Sequence, residues 1–353
     1  MANKSWLLYG AYGYTGRLIA QEAKDRGHKP ILAGRSAEKL IPLAEKLDLD
    51  YRVFDLKDEE NILKIVKEFD LVFHAAGPFK YTSNPMLNAC LKGNTNYLDI
   101  TGEIPVLEQN FKYDAQAKKN DITIISGVGF DVVPTDCLSK YVSDNIPNPT
   151  SLEIGINSVS NLSPGTIKTM LEYNTKGQLV RRNGNLAPLE KENVREIQFK
   201  DETLLVRPVT WGDLSTAYRT TAIPNITVYF PVLTKFPNVL KLSGVSAKDL
   251  NSNKEAKKKV QNWIEEHVQG PDEFTRQTDR SYIWVSVSND EGINKEAWLE
   301  TMESYRFTAV AGVRCVEKVF ELQPKGALTP ASAFGADFVL DFPETTRYDS
   351  LII

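Results

Sequence analysis

The sequence predicts an α/β protein: a doubly wound parallel sheet, then a second α+β domain with a mostly antiparallel sheet. Three observations carry this. An apolar run, Trp6-Leu7-Leu8-Tyr9, leads directly into Gly10-Ala11-Tyr12-Gly13-Tyr14-Thr15-Gly16. Strand-like and helix-like stretches then alternate to about Ser126, the pattern of βα units with parallel strands. From about Thr135 the strand-like stretches lengthen, and 353 residues are too many for one core, so two domains are expected.

The opening unit reads strand, glycine turn, helix, strand. Leu18, Ile19 and Ala23 share one face of the helical stretch, which stops at Gly27, and Pro30-Ile31-Leu32-Ala33 forms the second strand. This is the start of a dinucleotide-binding (Rossmann) fold. Gly10 permits the sharp exit from the strand, Gly13 lets a pyrophosphate approach the backbone, and Gly16 brings helix and sheet together. The first free N–H groups of that helix and its dipole favour the phosphates. At the end of the second strand a carboxylate would select NAD. Here Arg35 and Ser36 stand without an acid at positions 33–36, which points to the 2′-phosphate of NADP(H). The cofactor contacts predicted at this turn are Gly10, Ala11, Tyr12, Gly13, Tyr14, Thr15, Gly16, Arg35 and Ser36.

The alternation continues with a helix over 40–47, a strand over 51–54 ending at Asp55, and a helix placing Ile62, Leu63, Ile65, Val66 and Phe69 inward. A strand over 70–74 exits into Ala75-Ala76-Gly77-Pro78-Phe79. A helix over 85–91, a strand over 96–99, a helix over 106–118 and a strand over 122–126 complete the set. In such sheets ligands lie outside the carboxyl ends of the strands. Asp55 and the loops 74–79, 99–103 and 126–131 therefore share one rim with the glycine turn. Asp55 reads as a group facing the adenine end or as a helix cap. Ala76, Gly77 and Pro78 let the backbone pass close to the nicotinamide ribose.

In the second domain, strands are expected over 152–159, 204–210, 218–222 and 281–287. The last pairs with 298–307 across Asn289-Asp290-Glu291-Gly292 as an antiparallel hairpin. A short helix follows Ser163-Pro164-Gly165-Thr166, and a polar helix spans Lys254 to His267. A helix over 308–322 has Val310, Val313, Val316 and Val319 apolar. Thr329-Pro330 opens another, with threonine as cap and proline in the first turn.

Composition narrows the function classes. Net charge −4 leaves no basic surplus for nucleic acid. Cys90, Cys137 and Cys315 lie apart in apolar contexts, without metal-ligand spacing, as expected of buried thiols in a reducing compartment. With 3 histidines a histidine-rich metal site is excluded, and no metal is expected. No apolar run reaches transmembrane length, Ile223 to Leu233 being broken by Pro224, Asn225 and Pro231. A core strand begins at Trp6 without a leader, which points to the cytoplasm. An oligomer is compatible with all of this.

The rim loops also carry a resemblance. Ala76-Gly77-Pro78-Phe79, Tyr97-Leu98-Asp99-Ile100-Thr101-Gly102-Glu103, Gly129-Phe130-Asp131-Val132-Val133-Pro134-Thr135-Asp136, Pro164-Gly165-Thr166 and Gly326-Ala327-Leu328-Thr329-Pro330-Ala331 join the glycine turn, in order along the chain. Together they resemble the saccharopine-dehydrogenase-like oxidoreductases, in the branch of the trans-acting enoyl reductases. The resemblance implies a nucleotide domain (1–134), an inserted substrate domain (135–307) and a C-terminal segment (308–353) that returns to the first. It also implies an NADPH-dependent reductase of a C=C bond in an acyl thioester. The broader family implies C–N bond formation between an amine and a keto acid. A nucleotide-binding protein without turnover is the third reading. Where the family pattern has Tyr-Gly before the proline of the next helix, this chain has Thr82-Ser83, with Tyr81 one place earlier.

Hydride transfer needs a proton donor or a polarising group beside the nicotinamide. Three candidates follow: Tyr81 as a phenolic donor, Glu103 facing the cleft, and Thr166 where a helix N-terminus offers N–H groups to a developing oxyanion. His74 reads as a satisfied core histidine, and Asp99 as a loop or helix cap.

Overall fold

The computed structural model describes residues 4–158, 162–173, 177–191, 193–232, 239–246, 249 and 253–351. Val159, Leu233, Ile352 and Ile353, which close three of the expected stretches, lie outside them.

The first domain runs β1 (Trp6–Tyr9), α1 (Tyr14–Asp25), β2 (Ile31–Gly34), α2 (Ala37–Leu47), β3 (Tyr51–Val53), α3 (Glu59–Val66), β4 (Leu71–His74), α4 (Phe79–Gly93), β5 (Asn96–Asp99), α5 (Ile104–Phe111), α6 (Asp114–Lys119), β6 (Thr123–Ser126) and α7 (Val133–Ser143). The second continues β7 (Ser151–Ser158), α8 (Pro164–Tyr173), β8 (Leu179–Arg182), β9 (Asn185–Pro188), β10 (Arg195–Gln198), β11 (Thr203–Val209), α9 (Asp213–Thr221), β12 (Asn225–Pro231), α10 (Val239–Ser243), α11 (Lys254–His267), α12 (Glu273–Thr278), β13 (Arg280–Ser288) and β14 (Asn294–Met302). The chain ends with α13 (Ser304–Leu322), β15 (Gly326–Leu328), α14 (Pro330–Phe334), a 3-10 turn (Ala336–Asp341) and β16 (Thr346–Tyr348).

The first sheet has 7 strands in the order β15-β6-β5-β4-β1-β2-β3, and its strand pairs are all parallel. β1, β4 and β6 are buried throughout, as expected of central strands covered on both faces. The second sheet has 9 strands: seven follow the path β10-β11-β12-β7-β13-β14-β16, and off it β8 pairs with β12 and with β9. It is antiparallel except where β12 runs parallel to β7. After α13, β15 adds in parallel to β6, whereas β16 pairs with β14 of the second sheet. A single apolar core runs from Leu8 and Phe73 through Val313 of α13 to Ile154, Ile226 and Ile283, so the two sheets share one interior. At about 1.5–3 kcal/mol per fully buried aliphatic side chain, that shared interior opposes free movement of the domains.

The hairpin pairs Arg280 with Met302 and Ser288 with Asn294 across the expected turn. It ends earlier than the sequence suggested, because Glu303 caps α13 by accepting from Tyr305 N and Arg306 N, both at 2.9 Å. Residues 218–222, expected as a strand, are instead the last turn of α9 to Thr221, with Ala222 as its left-handed cap. Leu214 and Ala217, three apart and buried, give α9 its inward stripe, and the strand lies further on in β12. α4 begins at Phe79 rather than Pro85, with the proline inside it. The expected helix over 106–118 divides into α5 and α6. Among the described residues no helix is long and apolar enough to cross a membrane.

Candidate functional site

The glycine turn forms as the sequence demands. Gly10 has φ +89°, and a Cβ there would stand 2.7 Å from the Ala75 carbonyl carbon. A Cβ on Gly16 would stand 2.2 Å from the Gly10 oxygen, so α1 lies directly on the turn. Gly13 caps α1 without a side-chain hydrogen bond, and the first turn holds no acid. The open N-terminus of α1 thus offers N–H groups and the positive end of a dipole, which fits a diphosphate. The Tyr12 ring lies on Gly34, where a Cβ would come within 2.5 Å of it, and so covers the end of β2.

Beside Gly34, Arg35 is exposed. Ser36 caps α2, accepting from Lys39 N at 3.4 Å. One turn on, Lys39 is also exposed, and from α8 Lys168 reaches Glu265 of α11 at 2.6 Å. The Glu265 carboxyl is held below its ordinary range first by that hydrogen bond, with the charges of Lys39 and Arg35 adding to it. Arg35 and Lys39 therefore make a positive edge that fits a 2′-phosphate. The sequence reading missed Lys39, although a lysine one turn after a phosphate arginine is a usable signal. Asp55 is exposed and turns back on its own loop, accepting from Lys57 N at 2.9 Å.

The next loop is held from below. Ala76 O accepts from Thr82 Oγ1 at 2.6 Å, and the Glu103 carboxylate accepts from Phe79 N and Lys80 N, both at 2.7 Å. Glu103 is thus buried beneath Gly77-Pro78 as the cap of α4. Tyr81 projects outward at 54% exposure, with Lys80 and Lys257 at 5.3 and 5.9 Å from its ring centre. His74 bonds Tyr97 Oη through Nδ1 at 3.0 Å, and burial pushes its pKa down to about 3, so the ring stays neutral. Asp99 accepts from Thr101 N and Ser126 Oγ at 3.0 and 2.9 Å, and burial raises its pKa to about 6 despite those bonds.

Thr166 stands in the first turn of α8. It meets Tyr305 of α13, Oγ1 to Oη 2.8 Å, beside Ser163, and the Tyr305 ring lies edge-on to Tyr14 at 5.1 Å. Neither Tyr305 nor Arg276, which donates to Tyr14 Oη at 3.1 Å, was singled out from sequence. Both reach the turn from more than 250 residues away, which periodicity cannot reveal. Of the other second-domain arginines, Arg181 pairs with Glu108, Arg195 with Glu153, Arg219 with Asp114, Arg280 and Arg306 with Glu344, and Arg182 bonds Thr227.

An uncapped helix start, a glycine cradle and a positive edge on a doubly wound sheet define a dinucleotide-binding protein. Residues 6–125 match the family model of the saccharopine dehydrogenase NADP binding domain, so the first domain is an NADP-binding domain of that type. The chain is similar to the rat saccharopine dehydrogenase-like oxidoreductase, 27% identical over 212 residues that cover 52% of this chain and 49% of that protein. It is also similar to the trans-acting enoyl reductase of Mycobacterium ulcerans (strain Agy99), 30% identical over 138 residues, 37% of this chain and 33% of the relative. The matched part thus spans half or less of the length of these curated relatives. The fold is that of the saccharopine dehydrogenase (L-Glu forming) from Saccharomyces cerevisiae, with TM-score 0.63, 11% identity, and 98% of this chain and 100% of that one covered.

Proposed function

We propose that the protein is an NADPH-dependent oxidoreductase that reduces a polarised C=C bond in a lipid or polyketide acyl thioester. The observation that carries this is the pairing of a 2′-phosphate edge, Arg35 with Lys39, with rim loops of low charge. Ala75 to Phe79 and Val128 to Phe130 bring no charged side chain to the rim. When bound, the cofactor supplies the hydride. The chain's own residues would orient it: the start of α1 would hold the diphosphate, Arg35 the 2′-phosphate, and the Ala76-Gly77-Pro78 backbone, braced by Glu103, would take the nicotinamide end.

The alternative, C–N bond formation from an amine and a keto acid, needs an arginine free to clasp a carboxylate. Arg276, which the second domain brings to the glycine turn, is bonded to Tyr14 and, at 2.6 Å, to Pro271 O. The test follows NADPH oxidation with enoyl thioesters of several chain lengths, in parallel with amine plus 2-keto acid pairs. Turnover of the thioesters is expected, turnover of the amine pairs alone would reverse the ranking, and turnover of neither favours a non-catalytic nucleotide-binding protein. For the compartment we propose the cytoplasm, on the three unpaired and buried thiols Cys90, Cys137 and Cys315.

A further inference from the structure

We propose that Tyr305 is the proton donor of this reduction, its phenol oxygen seated on the start of α8. The proposal deepens the reductase reading and rests on it. Two ties place Tyr305 at the rim. Its own N–H is held by Glu303, and one turn on, Thr308 Oγ1 accepts from Phe130 N at 3.0 Å. The first turn of α13 is thereby fixed to the loop after β6, while the Tyr305 ring meets Tyr14 of the glycine turn at an interplanar angle of 84°.

The hydroxyl is then gripped from the second domain. Ser163 N donates to Tyr305 Oη at 2.7 Å, and Thr166 Oγ1 lies 2.8 Å from the same oxygen. Ser163 Oγ accepts from Thr166 N at 3.2 Å and lies 3.1 Å from Thr166 Oγ1, so the hydroxyls form a chain. The Ser163 oxygen thus caps α8, and the same stretch holds the Tyr305 hydroxyl. The other candidate donors are committed: Tyr14 Oη donates to Pro271 O at 2.5 Å, and both Glu103 oxygens serve α4.

The chemistry suits a donor. Burial raises the Tyr305 pKa and the bonds from Ser163 and Thr166 oppose the rise, leaving a neutral phenol at neutral pH. The charged and titratable groups around it are Glu303 on its own helix, Tyr14 on α1, and Arg276 of α12 behind Tyr14. As hydride from the reduced nicotinamide forms a C–H bond at one carbon, the Oη–H bond of Tyr305 breaks. Its proton forms the C–H bond at the other carbon, and the electron pair of the broken bond stays on the phenolate. The double bond is reduced by two electrons and the nicotinamide is oxidised. Ser163 N–H, the Thr166 hydroxyl and the α8 dipole hold the phenolate, which regains a proton from water along Thr166 and Ser163.

The test uses the full chain and the variants Tyr305→Phe, Thr166→Val and Thr166→Ser. Tyr305→Phe should keep its melting temperature and bind NADPH within about threefold of wild type, yet lose about 10²–10⁴-fold in enoyl-thioester turnover. Without substrate, a pH titration of ¹³Cζ-tyrosine resonances identifies Tyr305 by its absence in Tyr305→Phe. Thr166→Val should raise that midpoint by about one pH unit, and Thr166→Ser should restore it. Undiminished turnover in Tyr305→Phe, or a midpoint indifferent to Thr166→Val, overturns the proposal. If wild type turns over no member of the panel, the reductase reading fails by itself. The resonance shift then decides whether Thr166 governs the Tyr305 proton.

Discussion

Arg181 of β8 ties the second domain to Glu108 of α5 in the first, Nη2 to Oε1 2.5 Å. The guanidinium also donates to Leu214 O at 2.5 Å and Gly184 O at 2.7 Å, and lies 4.2 Å from the Tyr218 ring centre. Only 4% of its side chain is exposed. A lysine cannot serve three acceptors in that plane. Arg181→Lys should therefore cost about 2–4 kcal/mol, because the buried Leu214 carbonyl and the half-buried Gly184 carbonyl each lose a donor. Denaturant unfolding of the two proteins measures it, and a loss below about 0.5 kcal/mol, as for an ordinary surface change, would show the tie to be idle.

Cofactor preference is the second expectation. In the proposed binding mode Arg35 holds the one group that distinguishes NADPH from NADH, so Arg35→Ala should weaken NADPH by about 1.5–3 kcal/mol and leave NADH nearly unchanged. Lys39→Ala should act in the same direction and less strongly, since a flexible ammonium lacks the planar fork. Fluorescence titration with both cofactors checks this. Equal losses for the two would move Arg35 away from the 2′-phosphate.

The nucleotide cradle was legible because it is local. Strand, turn and helix lie within about thirty residues, and each glycine answers a nearby backbone. The antiparallel hairpin was legible for the same reason. Residues 218–222 were misread because Tyr218, Thr220 and Thr221 favour strands by type, while burial of Leu214 and Ala217 decides for a helix. The site across the domains was not legible. Tyr305, Arg276 and Lys168 reach the glycine turn or its edge only once the second sheet has folded. Thr166 was visible as a helix start, but its partner, 139 residues on, was not.

Glu103 separates a structural role from a chemical one. Its two oxygens accept the N–H groups of Phe79 and Lys80, so Glu103→Ala should leave the start of α4 without those acceptors and cost about 1–3 kcal/mol. The Gly77-Pro78 loop should then loosen and NADPH bind more weakly. Thermal melts and cofactor titration report both. A variant with unchanged melting temperature and NADPH affinity but no turnover would instead make Glu103 the proton donor.

The last expectation concerns stability against pH. Asp131 sits between the domains, against Gly102 and Gly212, where a Cβ would stand 1.7 and 2.8 Å from its carboxylate oxygens. Its Oδ1 is buried and has no hydrogen-bond partner among the described residues. Burial raises its pKa to about 7, against about 3.9 in an unfolded chain. The folded state therefore keeps a proton that the unfolded state has lost. Its contribution to stability must fall as pH rises from about 4 to about 7 and level off above that. Asp213, pushed well up first by burial and then by the Asp131 charge, acts in the same direction. Asp99 and Asp136, each raised to about 6 by burial, act in the same direction. Glu317 acts oppositely: burial pushes it up, but bonds from His28, Arg26 and Arg314 win and hold it far below its usual range. Its contribution is complete above about pH 4.5. Between about 5 and 7 the buried aspartates lower stability while His74, held neutral by burial with its pKa at about 3, opposes them. Comparison with Asp131→Asn cancels every group but Asp131. Asp131→Asn keeps the shape and cannot ionise. It should flatten the decline in melting temperature over that interval and be more stable than wild type at pH 8. A decline as steep as that of wild type would mean that Asp131 is already ionised in the fold at pH 5.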